Sequence, residues 1–177
     1  MSENWFNLRT MSENGILLLK AVMDLQSLMD RMSKKNSARR MEGARLLEKI
    51  ADCLTELEIE VRAGGPKIPV LVGRMRTYIE HFEPVFVPLL GKQTAAKFRE
   101  QLLELFVSTP EATFSGGTYG PMIGGFLELK KLTASGEVDE LHTNSSIATL
   151  SLVEGQLRAL ADVLEFAEIA TRQKLEK

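Results

Sequence analysis

Along most of this chain apolar residues recur at alternating steps of three and four, the period of an α-helix with one buried face. Thr10-Met11-Ser12-Glu13 has the spacing of a capping box, and Leu18, Val22, Leu25, Met29 and Met32 then share one stripe. After a polar tip at Ser33 to Ser37, Leu47, Ile50, Leu54, Leu57 and Val61 repeat the pattern until Gly64-Gly65-Pro66 ends it near Ala63. These two segments predict a long N-terminal antiparallel helical hairpin. A third helix opens at Pro69 and turns Leu71, Met75, Tyr78 or Ile79, and Phe82 inward. EPVFVPLLG, broken by Pro84 and Pro88 and closed by Gly91, reads as a short apolar connector. A fourth helix follows from about Thr94 to Phe106, with Ala95, Phe98, Leu102 and Leu105 inward, then a short one from Pro121 to Leu132. Leu150, Val153, Leu157, Leu160, Leu164 and Ala167 mark a long C-terminal helix. Residues 1–10 read as an N-terminal arm, and 107–120 and 133–145 as loops. Strand-like runs are confined to Ile68–Val72 and Val85–Val87, both crowded by proline. The pattern predicts an all-α helical bundle forming a single domain over residues 1–177, with shorter helices between the hairpin and the C-terminal helix.

With 177 residues, 44% of them hydrophobic and 26% charged, the composition is that of a globular chain able to bury a core. A formal net charge of -2 gives the whole molecule no long-range attraction to nucleic acid or anionic lipid, so such binding requires a local patch. Cys53 is the only cysteine, which excludes an intrachain disulfide and a cysteine-rich zinc site. The N-terminal stretch lacks a basic start followed by an apolar run, and the apolar runs are too short to span a bilayer. The expectation is a soluble, cytoplasmic protein without integral membrane association. His81 and His142 are the only histidines, so no metal cluster is written locally, and no cofactor motif is present.

Five of the 13 glycines fall in FSGGTYGPMIGGF, residues 114–126. A phosphate-binding loop would need a preceding strand and a lysine beside its last glycine. Here a helix lies upstream, Phe126 and Leu127 follow the glycines, and Lys130 and Lys131 come a turn later. Two readings remain. Either the glycines let a short helix lie close to longer ones with Met122, Ile123 and Phe126 in the core, or Tyr119, Met122, Ile123 and Phe126 form an adaptable partner-contact surface.

Residues 31–45 gather Arg31, Lys34, Lys35, Arg39, Arg40 and Arg45 against Glu42 alone, a net charge near +5 at the hairpin tip. Such a tip suits phosphates or an acidic protein face, or simply a solvated helix end; no aromatic residue is interleaved for base stacking. In RMRTYIEHF, Arg76 and His81 have four residues between them, which resembles the R-x4-6-H motif of HEPN ribonucleases. That resemblance implies a small all-helical bundle in which paired copies bring arginine and histidine to the RNA backbone. The plainer alternative pairs Arg76 with Glu80 one turn on.

The chain therefore reads first as a non-enzymatic protein-interaction protein: an adaptor, regulator or structural subunit of a larger assembly that binds another protein, itself as a homo-oligomer, or both. The alternatives are a nucleic-acid-binding subunit using the basic tip and an HEPN-like ribonuclease using Arg76 and His81.

Overall fold

The computed structural model describes residues 37–107 and 119–175, together with Lys20, Met23 and Asp24, which are helical. Among the described residues the chain is all-α, with helices α1 (Ser37–Ala63), α2 (Ile68–Glu80), α3 (Phe82–Leu90), α4 (Lys92–Phe106), α5 (Pro121–Ala134), α6 (Glu140–Ile147) and α7 (Thr149–Leu175). The expected first helix and most of the hairpin tip, with Arg31, Lys34 and Lys35, lie outside the described residues.

The dominant packing joins the two longest helices. α1 and α7 run antiparallel: Gly43 lies beside Leu164, Asp52 accepts from Arg158 at 2.8 Å, and Glu58 accepts from the Ser151 hydroxyl. Leu47, Ile50, Leu54, Leu57 and Val61 of α1 and Leu150, Val153, Leu157, Leu160 and Leu164 of α7 are all at most 1% exposed. α1 also packs against α2, α3, α5 and α6, and α4 packs on α2, α3 and α5. One apolar core runs through all of them.

Each helix stops for a local reason. Gly64 adopts φ 66°, and the Gly64 and Gly65 amides donate to the Val61 and Glu60 carbonyls, closing α1 in a Schellman turn. Gly136 at φ 78° ends α5 in the same way, through Thr133 and Leu132. Beyond its end α1 is tied down by side chains from two other helices. The Lys130 ammonium donates to the Val61 carbonyl at 2.9 Å and to that of Arg62, placing a cation at the negative end of the helix. Arg62 donates to Glu58 and, at 2.9 Å, to Asn144 of α6.

Two segments differ from the sequence expectation. EPVFVPLLG is helical rather than a connector, because Pro84 sits in the first turn of α3, where amide hydrogens have no intrahelical acceptor. Only Pro88 then interrupts the ladder. Phe82 and Phe86, one turn apart and both 0% exposed, stack at 4.2 Å on the inner face, and Phe98 of α4 closes on Phe82 at 4.9 Å. The polar stretch 133–145 is not a continuous loop either. α5 continues to Ala134, and α6 starts after Asp139 and buries Thr143 and Ile147, with Thr143 and Thr133 sharing a hydroxyl contact of 2.6 Å. Two apolar or small residues suffice to anchor a helix whose other positions face solvent. No helix among the described residues is long and apolar enough to cross a membrane.

Candidate functional site

The sequence-derived sites fare differently. Met122, Ile123 and Phe126 are 2%, 0% and 2% exposed, and half-buried Tyr119 packs on the same core. Met122, Ile123 and Phe126 are packing residues of α5, which favours the packing alternative for them, while Tyr119, just before α5, keeps partial exposure. The physical reason is close approach: a Cβ on Gly120 would stand 2.6 Å from the Leu105 carbonyl oxygen and 2.7 Å from the Val107 nitrogen, so only glycine lets the start of α5 lie against the end of α4. Gly116 and Gly117 lie outside the described residues.

Of the basic tip, the described members are Arg39, Arg40 and Arg45. Arg40 is 5% exposed, folded into the protein rather than presented to a ligand, which corrects its assignment as a contact. Arg39 is engaged by Glu42 at 2.7 Å. Arg45 points to solvent. In the R-x4-H segment, Arg76 donates to Glu80 at 2.9 Å on an exposed face. Five residues of helix set Arg76 and His81 roughly 140° apart around the axis. Within one chain they do not converge.

Arg45 and His81, which the sequence assigned to two different activities, instead line one groove. It has a volume of about 560 Å³ and lies between α1 and the α2–α3 junction. α1 contributes Met41, Glu42, Arg45, Leu46 and Lys49; α2 contributes Thr77 and Tyr78; His81 and Val85 close the end. The walls are fixed from outside the groove. The Cys53 thiol donates to the Leu71 carbonyl at 3.4 Å, and Arg74 pairs with Glu56 at 2.9 Å, so α1 and α2 are held together by apolar and charged contacts in series. Burial pushes the Cys53 thiol up to about 11, against a smaller opposing pull from Arg74, so it is a neutral core group and not a nucleophile.

His81 joins α2 to α3 as the single residue between them. Its Nδ1 is 2.7 Å from the Thr77 carbonyl oxygen. A carbonyl only accepts, so Nδ1 carries the proton in this contact. The floor of the groove is apolar, with Leu46 and Val85 buried and Tyr78 half-buried. Its rim is basic. Arg45 and Lys49 stand one turn apart on α1, both exposed, and neither has an ion pair among the described residues. Lys49 was not singled out in the sequence, and Tyr78 was read only as an inward position of the third helix. The one available signal was the like-charged Arg45/Lys49 pair at i, i+4, which weakens a helix slightly and so needs another reason to exist.

Among the described residues no three His, Cys, Asp or Glu side chains come together to hold a metal ion. Comparison with protein-family models, curated proteins and solved structures finds no match to this chain. The fold and the groove define an all-α helical protein with a basic-rimmed apolar cleft.

Proposed function

We propose that this chain is a non-enzymatic, cytoplasmic helical binding protein, an adaptor, regulator or subunit of a larger assembly, and that the groove between α1 and the α2–α3 junction receives an acidic segment of another protein. The observation that carries this reading is the rim of Arg45 and Lys49 above an apolar floor. Two cations one turn apart suit successive carboxylates, while Leu46, Tyr78 and Val85 offer a seat to an apolar side chain between them. Tyr78 and His81 add polar groups that can hydrogen-bond to the segment's backbone.

Nucleic acid is less well supplied by the described residues, since Arg39 is engaged and Arg40 is buried. Capture from native cells with tagged wild-type chain and with the Arg45→Glu/Lys49→Glu variant, each with and without nuclease, separates the readings. Partners that survive nuclease, weaken with salt and are lost with the variant support the acidic-segment reading. An unchanged set of partners overturns it, and a set lost only to nuclease establishes the nucleic-acid alternative. Incubation with mixed RNA tests the ribonuclease alternative: cleavage abolished by His81→Ala would replace the binding reading.

A further inference from the structure

Among the described residues lining the groove between α1 and the α2–α3 junction, His81 is the only histidine. Histidine is the side chain whose charge ordinarily changes between about pH 5 and 8. The placement of the ring decides what that change does. Its Nδ1 edge is turned back on the Thr77 carbonyl at 2.7 Å, and an Nδ1 proton satisfies that contact in the neutral ring and in the charged one alike. A second proton therefore goes to Nε2, on the opposite edge of the ring, and breaks no hydrogen bond of the fold.

The charged neighbours fix the sign. To the groove α1 contributes Glu42, Arg45 and Lys49, α2 contributes Tyr78, and α3 adds Val85, which carries no charge. Lys92 and Arg99 of α4 line a separate cleft with Glu80 and Glu83, and those carboxylates pair with Arg76 at 2.9 Å and Arg99 at 3.8 Å. Glu42, the one carboxylate among the described residues of the groove, is engaged by Arg39 at 2.7 Å. A charged His81 thus adds a third cation to Arg45 and Lys49, with a single, already shared carboxylate to offset them. Carboxylates brought by an acidic segment would favour the charged ring, as an opposite charge nearby does. We propose that the groove takes up a proton at His81 when it takes up its acidic segment, so that the complex tightens as pH falls from about 8 to 6. This inference rests on the acidic-segment reading of the groove and adds its regulation. Free carboxyls titrate near pH 4, so the segment keeps its charge through that window. A ring midpoint displaced by one pH unit on binding corresponds to a tenfold change in affinity, and a rim open to water and salt sets the expected gain at about three- to tenfold.

The test is calorimetric titration of the full chain at pH 6, 7 and 8 with a synthetic peptide in which glutamates flank a leucine, in two buffers of different ionisation enthalpy. The wild-type chain should bind about three- to tenfold more tightly at pH 6 than at pH 8, with a buffer-dependent heat that reports proton uptake. His81→Gln should lose both signatures, whatever its own affinity. Proton NMR of the unmutated chain provides a readout that no folding defect can imitate: the peptide should raise the titration midpoint of the His81 ring, while that of His142, which lies on α6 outside the groove, stays in place. Binding equally tight at pH 6 and 8, a pH dependence that survives in His81→Gln, or a His81 midpoint unmoved by bound peptide overturns the proton uptake and leaves the acidic-segment reading standing. A peptide that binds at no pH, or binds as well to the Arg45→Glu/Lys49→Glu variant, overturns that reading and this inference with it.

Discussion

Two glycines have opposite physical meanings. Gly120 is wedged against the backbone of Leu105 to Val107, whereas a Cβ at Gly155 would meet nothing within 4 Å among the described residues. Gly120→Ala should therefore destabilise the fold by about 1–3 kcal/mol through overpacking, and Gly155→Ala should stabilise it by roughly 0.5–1 kcal/mol; denaturant titration of both variants checks the pair. The sequence showed that glycines cluster near 120 but not which of them is crowded, because the crowding partner is a helix end some 15 residues upstream. Cys53 gives a pH signature. Burial favours its neutral thiol, so the unfolded chain ionises first as pH rises. The thiol's contribution to stability is whole below the unfolded value near 9.0 and is lost as pH climbs toward about 11. Stability followed by urea melts should fall across that window, with Cys53→Ala showing a shallower fall in the same range.

At the scale of elements, the helical period was legible wherever one face is continuously buried. α1, α2, α4, α5 and α7 all turn inward nearly the residues that the three-four alternation selects. It failed where burial rests on few residues: α6 is anchored by Thr143 and Ile147 alone, and in α3 the prolines masked the Phe82–Phe86 pair. Lys130 was equally unreadable, since its acceptors lie almost 70 residues away on α1. Lys130→Met keeps the stem but removes the ammonium, and should cost about 1–2 kcal/mol in thermal or denaturant unfolding. The Arg45/Lys49 repulsion supplies a contrasting test. Lys49→Glu turns it into an i, i+4 attraction and should raise stability by roughly 0.5 kcal/mol, while weakening capture of an acidic partner. Gains in both would contradict the assignment of Lys49 to binding.

For the molecule as a whole, the all-α class was written in the period, but the candidate site was not, because a groove belongs to no single helix. Arg45 and His81 were each noticed for separate chemistry, and only the packing of α2 on α1 brings them to one cleft. The hairpin expected from local order concerns residues outside those described, whereas the long antiparallel pair that is present joins α1 to α7, elements the sequence keeps far apart. That pairing has a consequence during synthesis. Contacts such as Asp52 with Arg158 close a loop of more than 100 residues, and at about 5–20 residues per second α1 emerges several seconds before α7 is made. For that interval the apolar face of α1 that packs on α7 has no native cover from it. The nascent chain is then at its stickiest, and slowing translation after α1 should lower the soluble yield more than slowing it after α7.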